Sequence, residues 1–334
     1  MNNKYIICCD WGTSSFRLRL VEKNSYRVIA EFLSSAGVAA TFKEWKNQSS
    51  LSRFDFYAIK LRESIRKLES NHESPLNDIA VIVSGMASSS LGMENIPYAV
   101  LPFDISGAKA SVRVFDGFNG HSAPLVLVSG VKSHEDVMRG EEAQLIGLLT
   151  LNEVVAKPNE ELVFVFPGTH SKHIIVKNNV VSDFKTFMTG EVFNILTEHS
   201  ILKDSVLIQN LSGLENPENV VAFKQGVINS GSSSLLHSLF TVRTMQLFET
   251  YNKEQNAFYL SGLLIGTELR ALEEERYSQI IICSGKHLFH HYKIAINTLG
   301  FLNNISFIQP ELIDKATIAG QVQLFNALQI NTND

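Results

Sequence analysis

The chain has 334 residues, 45% of them hydrophobic and 19% charged, which is long enough for two domains with separate cores and excludes fibrous and disordered classes. A formal net charge of −5 lacks the basic surplus of proteins that bind polyanions, so neither nucleic acid nor a membrane is an expected partner. Cys8 and Cys9 are neighbours on opposite faces of a strand and Cys283 stands alone, so no disulfide framework is read; with no apolar leader and no apolar run long enough to cross a bilayer, a cytoplasmic protein with reduced thiols is expected.

From the amino end, residues 5–9 form an apolar run and residues 16–21 alternate, with Phe16, Leu18 and Leu20 on one face and Arg17 and Arg19 on the other. This pattern predicts strand, tight turn, half-buried strand. In the turn, Gly12 permits close backbone approach, while Thr13, Ser14 and Ser15 add hydroxyls to N–H groups suited to phosphate oxygens. Asp10, closing the first strand, is placed to hold a hydrated magnesium ion. An ordinary hairpin turn would use the same residue types. What separates the two readings is a second copy: Gly168-Thr169-His170-Ser171 repeats the Gly-Thr-x-Ser pattern of Gly12 to Ser15, again after an apolar run (162–166) and before an alternating one (174–177). Each copy turns through Asn into a third extended run, 28–33 and 180–187. Two related lobes are therefore expected, their hydroxylated turns facing each other across a cleft and clamping a nucleotide triphosphate.

Between the copies, Gly37 marks a bend, and Phe54, Tyr57, Leu61, Ile65 and Leu68 recur at helical spacing. Residues 79–83 read as a buried strand, residues 84–98 as a loop at its carboxyl edge, and residues 125–128 as a further strand near which the lobes would hinge. Gly140 precedes a helix whose apolar positions Leu145, Leu148 and Leu149 put Glu141 on the same side. Glu141 is then either a catalytic carboxylate, with Glu142 in reserve, or an acidic first-turn residue favoured by the helix dipole. Arg139 suits a substrate carboxylate bidentately, or a structural ion pair with Glu135 or Asp136.

Later in the chain, Thr189 reads as the N-cap of a helix over 191–199, residues 210–219 as a polar surface insertion, and 260–271 as an apolar helix with a packing face at Gly262 and Gly266. Residues 279–283 form a buried strand ending in Ser284-Gly285, followed by a helix whose His287, His290 and His291 are expected to face solvent. A strand over 305–308 and a helix over 318–328 close the chain. His170 and His173 lack the further ligands of a metal site, and no structural metal is expected.

The motifs Asp10 to Arg17, Gly85-Met86, Pro97-Tyr98, Met138 to Gly147 with its Arg-Gly-Glu-Glu, Pro167 to Lys172, Met188 to Glu191 and Leu260 to Gly266 run in order along nearly the whole chain. Together they resemble the 2-dehydro-3-deoxygalactonate kinases, small sugar-acid kinases of the actin, hexokinase and heat-shock ATPase fold. That resemblance implies an α/β protein of two ribonuclease H-like lobes, here 1–125 and 126–334, each a mixed five-stranded sheet flanked by helices. It implies ATP and Mg2+ as cofactors and transfer of phosphate to the terminal hydroxyl of a 2-keto-3-deoxy sugar acid. Glu141 resembles the catalytic carboxylate, assisted by Asp10 with magnesium. The phosphates would meet Gly12, Thr13, Ser14, Ser15, Arg17, Gly168, Thr169, His170 and Lys172, and the adenosine Ser284 and Gly285. Gly37, Gly85, Met86, Tyr98 and Arg139 would meet the sugar acid. Met93 stands where the family usually has tryptophan, and Ala87-Ser88 replaces a Gly-Ser pair, which leaves the particular acid open, along with self-association into a homodimer. A kinase for another sugar and a non-catalytic actin-like ATP switch are the rival readings.

Overall fold

The computed structural model describes residues 4–47, 50–70, 75–154, 158–208, 213–273, 277–300 and 304–331. The chain divides into two compact units, the first comprising Met1–Lys157, Asn179–Asp183 and Leu312–Asp334, the second Pro158–Asn178 and Phe184–Glu311. These units are drawn differently from the expected boundary at 125/126: residues 126–157 and the last helix both belong to the first unit.

The first unit begins with β1 (Tyr5–Trp11), β2 (Phe16–Glu22) and β3 (Arg27–Ser34), an antiparallel run in which Asp10 pairs with Arg17. Helices α1 (Val38–Asn47) and α2 (Arg53–Glu69) follow, then β4 (Val81–Gly85), β5 (Ala99–Val100), β6 (Phe103–Asp104), β7 (Val112–Phe115), β8 (Leu125–Val128), β9 (Val131–Lys132), β10 (Val137–Met138) and α3 (Glu141–Thr150). The main sheet runs β3-β2-β1-β4-β8-β7, with β1, β4 and β8 parallel; β10-β9-β5 form a small second sheet. Strands covered on both faces must be apolar throughout rather than alternating, and β4 and β8 are buried at every position. Ile7, Leu18, Leu20, Tyr57, Leu61 and Ile65 join them in one core.

The second unit contains β11 (Glu161–Phe166), β12 (Ser171–Lys177), β13 (Val180–Phe187, of which residues 180–183 fall in the first unit), α4 (Thr189–His199), α5 (Pro217–Asn229), α6 (Leu235–Leu247), α7 (Lys253–Arg270), β14 (Gln279–Ile282), α8 (Lys286–Leu299) and β15 (Ile305–Phe307). Its strands run β15-β14-β11-β12-β13, with β11 antiparallel to β12 and parallel to β14. The runs β3-β2-β1-β4-β8 and β13-β12-β11-β14-β15 match, with the first two strands of each unit antiparallel and β1, β4 and β8, like β11, β14 and β15, parallel; the first sheet adds β7, antiparallel to β8, at its edge. The final helix, α9 (Pro310–Asn331), returns to the first unit. There Gly147 of α3 lies against the Ala316 carbonyl and Gly320 of α9 against the Ala143 carbonyl, so the two helices cross backbone to backbone. In the second unit Gly262 of α7 lies likewise on the Phe223 carbonyl and Gly226 of α5 on the Tyr259 carbonyl, the packing face expected from the Gly262–Gly266 spacing.

One element is added and three expectations are corrected. Helix α1 follows the bend at Gly37 over residues to which no element was assigned, although Val38, Phe42 and Trp45 recur there at helical spacing. Within the proposed insertion, residues 209–212 lie outside the described residues, but Asn216 caps α5, Pro217 starts it and Asn219 is 1% exposed. Thr189 is the first residue of α4 rather than its cap, and its hydroxyl is committed elsewhere. His287 and His290 are exposed, but His291 is buried against Phe223 and Phe258, since it falls on the α8 face that carries Ala295.

Candidate active site

In the first unit the turn after β1 is closed by its own ends: Gly12 N–H donates to the Ser15 carbonyl at 2.9 Å. That leaves Thr13 and Ser14 as the exposed pair. Behind them the start of α1 is pressed onto the turn, Val38 and Ala39 donating N–H to the carbonyls of Gly12 and Thr13 at 2.9 and 3.1 Å. Gly37 is required here because a Cβ would overlap the Thr13 carbonyl. Arg17 Nη1 donates to Asp10 Oδ2 at 2.9 Å across the β1–β2 pair. Burial raises the Asp10 carboxyl above its ordinary range, with Arg17 only partly offsetting it. A desolvated carboxylate only partly offset by Arg17 and Arg19 suits a magnesium ion that keeps its waters and takes phosphate oxygens as further ligands. Among the described residues no group of three or more His, Cys, Asp or Glu forms an all-protein metal cage.

Asp10 has company at the carboxyl edge of the sheet. Gly85 ends β4 with φ +88°, and a Cβ there would sit 2.9 Å from the Trp11 carbonyl and 3.3 Å from Asp10 Oδ1. Gly140, with φ +114°, in turn lies so that its Cβ would be 3.6 Å from Gly85 Cα. The loop before α3 therefore delivers Glu141 to the neighbourhood of Asp10. Glu141 is half-buried and its Oε2 accepts the Arg139 N–H at 3.0 Å; Glu142 is 1% exposed and its Oε2 accepts the Gly140 N–H at 2.7 Å. Both carboxylates thus satisfy N–H groups at the start of α3, where the helix dipole favours negative charge. Burial, with Glu141 beside it, pushes the Glu142 carboxyl up to about 8.

Arg139 is held firmly. Its guanidinium lies 4.2 Å over the Tyr98 ring, and Nη1 donates to the Ser88 carbonyl at 2.6 Å, to Ser88 Oγ and to Ser129 Oγ at 3.2 Å. Met86 is half-buried beside Ala87 and Met93, each 1% exposed in the core. The two family departures at Ala87 and Met93 are therefore core substitutions.

The second unit repeats the arrangement of the first with different closures. Gly168 N–H donates to Ser171 Oγ at 3.2 Å, Ser171 is fully buried, and Thr169 and His170 are the exposed pair. Glu191 at the start of α4 donates N–H to the Thr169 carbonyl at 3.0 Å and pairs through its carboxylate with His170. Gly190 presses on Gly168 and Thr169 as Gly37 does on the first turn. Lys172 is 6% exposed and its Nζ donates to Thr186 Oγ1 at 2.6 Å, so it faces the adjacent strand. At the end of β14, Ser284 is buried and Gly285, the exposed N-cap of α8, borders open space. A cavity of about 520 Å³ opens beside it, lined by Leu214, Lys286, His287, His290, His291 and Ile294.

Sequence reasoning missed Ser88 and Ser129, which fix Arg139, and Gln321, whose Nε2 donates to the Cys9 carbonyl and Ser84 Oγ, each at 2.8 Å, beneath Asp10. It also missed Glu268, for which a signal existed: a carboxylate continuing the buried stripe Leu260, Leu264 on α7.

A family model described as 2-keto-3-deoxy-galactonokinase matches residues 10–324. The chain is 33% identical over 224 residues to the 2-dehydro-3-deoxygalactonokinase of Escherichia coli (strain K12), covering 66% of this chain and 71% of that one. It is 29% identical over 274 residues to a 2-dehydro-3-deoxygalactonokinase described as probable in Rhizobium meliloti (strain 1021), covering 79% of each. A crystal structure of a candidate 2-dehydro-3-deoxygalactonokinase from Sinorhizobium meliloti superposes with a TM-score of 0.76 over 97% of this chain and 99% of that one at 24% identity.

Proposed function

This chain belongs to the 2-keto-3-deoxy-galactonokinase family and is a sugar-acid kinase with an actin-like ATPase fold, and from that premise we propose that it moves the γ-phosphoryl group of ATP to the terminal hydroxyl of 2-dehydro-3-deoxy-D-galactonate, giving the 6-phosphate. The observation that carries the reading is the convergence of Asp10, Gly85 and the Gly140-Glu141 start of α3 at one sheet edge. Gly85, with φ +88°, has no Cβ to crowd the Asp10 carboxylate, and Gly140, with φ +114°, brings the backbone that leads to Glu141 against Gly85.

Phosphoryl transfer demands alignment and charge neutralisation more than covalent chemistry. The exposed pairs Thr13-Ser14 and Thr169-His170 donate N–H and side-chain hydrogen bonds to the polyphosphate, with Gly12, Ser15 and Gly168 shaping the turns. Asp10 would hold a hydrated magnesium ion, whose charge would screen the phosphates. Arg17 balances Asp10 and the charge that develops near it, with Lys172 behind the second turn. The adenosine lies at Ser284-Gly285 against the cavity beside α8. Glu141, the more accessible of the two α3 carboxylates, orients the acceptor hydroxyl and takes its proton. Arg139, stacked on Tyr98 and anchored by Ser88 and Ser129, offers the rest of its guanidinium to the substrate carboxylate, beside Gly85, Met86 and Gly37.

A coupled assay of ADP release tests this. Release should depend on an added 2-keto-3-deoxy sugar acid, and Glu141→Gln should lower turnover about 10²–10⁴-fold, the usual worth of general-base help, with ATP affinity retained. ADP release indifferent to acceptor would overturn the kinase reading, and wild-type turnover in Glu141→Gln would remove Glu141 from the reaction.

A further inference from the structure

Four elements of the second unit meet at one buried carboxylate. Glu268, on the last turn of α7 and 2% exposed, receives three hydrogen bonds: His173 Nε2 of β12 at 3.1 Å to Oε1, and the hydroxyls of Thr189 of α4 and of Tyr292 of α8, the latter at 2.8 Å, to Oε2. A carboxyl group that meets three donors accepts from each of them, and this orders the hydrogens further along. Tyr292 has one O–H and gives it to Glu268; its oxygen then accepts from Ser171 Oγ, 3.2 Å away, the shorter of the two contacts open to that hydroxyl, the other being the Gly168 carbonyl at 3.5 Å. Ser171 has thereby used its own hydrogen, and its oxygen is left to accept the Gly168 N–H at 3.2 Å. The bonds run in one direction, from the Gly168 backbone through Ser171 and Tyr292 to Glu268. Such chains polarise one another in a low-dielectric interior.

We infer that Glu268 is a positioning residue for the turn Gly168–Ser171, acting through Tyr292 and Ser171 on its first N–H and through Thr189 on the start of α4 that carries Gly190 against it. The chain of bonds spends the Ser171 hydroxyl and the Gly168 N–H on the protein itself and leaves Thr169 and His170 exposed, the His170 ring paired with Glu191. The contact is specific to this unit: the first turn is closed by the Ser15 carbonyl instead. The proposal rests on the reading of this turn as a phosphate site.

The test compares Tyr292→Phe, Ser171→Ala, their double variant and Thr169→Ala in steady-state kinetics with ATP and the sugar acid varied separately. Tyr292→Phe keeps the ring and removes only the linking hydroxyl, which protects against the folding failure that Glu268→Gln risks. The inference expects KM for ATP to rise about tenfold in Tyr292→Phe and in Ser171→Ala, the size of one lost hydrogen bond. It expects the double variant to match the singles, because one broken link breaks the chain, and KM for the sugar acid to stay within about twofold. A purely structural contact would lower the melting temperature and leave the KM of the folded enzyme unmoved. If Thr169→Ala raises KM for ATP while Tyr292→Phe does not, this inference alone falls. If Thr169→Ala leaves it unchanged, the phosphate reading of the turn falls, and the inference with it.

Discussion

Glu142 shows how a single carboxylate at this site is governed by its surroundings. Its Oε2 serves the Gly140 N–H, but Oε1 is buried with no hydrogen-bond partner, an arrangement that costs an anion more than an acid. Burial and the adjacent Glu141 accordingly lift its pKa from 4.5 to about 8, so the folded protein holds a proton there at neutral pH that the unfolded chain releases. The native state binds more protons than the unfolded state between those two values, and stability therefore falls as pH rises through that window, by up to about 1.4 kcal/mol per pH unit. His291 contributes the opposite slope at lower pH. Burial lowers its pKa to about 4 from 6.5, so stability falls there as pH drops. Urea unfolding from pH 5 to 8.5 should show the wild type nearly level below about pH 6.5, where the two slopes oppose, and declining from there to about pH 8, whereas Glu142→Gln should lose that decline and uncover the acid-side loss that belongs to His291. Parallel curves for the two proteins would refute the assignment. His291 also marks a limit of reading side chains one at a time. Three histidines in five residues looked like a polar cluster, yet helical geometry turns the third toward Phe258 and the first two outward.

At the scale of elements, the α3–α9 crossing ties the helix that begins at Glu141 to the first unit's sheet. Replacing an exposed mid-helix glycine by alanine usually gains up to about 1 kcal/mol. At Gly147 or Gly320 the added Cβ would run into a carbonyl of the facing helix, so Gly320→Ala should instead lose about 1–3 kcal/mol, as overpacking does. An unchanged or raised urea midpoint would show that the helices can separate without cost. Elements with strong periodicity were legible in the sequence: β8 and β13 fall on the expected residues, and β1, β11 and α2 within a few. Strands of two residues such as β5 and β9 carry no period to detect. Residues 191–250 read as mostly helical, but the start of α5 fell in the segment read as an insertion because Asn216-Pro217, a sound helix start, is equally a turn signal. The two Gly-Thr-x-Ser turns could be found because repetition is visible along a sequence. The Glu268 chain could not, since it joins residues 95, 79 and 24 positions from the carboxylate.

For the whole molecule, the matching runs β3-β2-β1-β4-β8 and β13-β12-β11-β14-β15 and the glycine-backed turns at Thr13 and Thr169 describe one supersecondary plan used twice. The two copies differ in the groups around their turns. The first gains Asp10, Gly85 and the α3 carboxylates, whereas the second gains the Glu268 chain and the cavity beside Gly285. If one nucleotide draws on both turns, its binding energy must be felt by both. A ligand at 100 times its Kd raises unfolding free energy by about 2.7 kcal/mol through mass action. Thermal melts with magnesium and a non-hydrolysable ATP analogue should show this stabilisation in the wild type and a smaller shift at the same ligand concentration in Thr13→Ala and in Thr169→Ala alike. A shift reduced in only one of the two variants would assign the polyphosphate to a single unit and leave the other turn as a structural echo of the repeat.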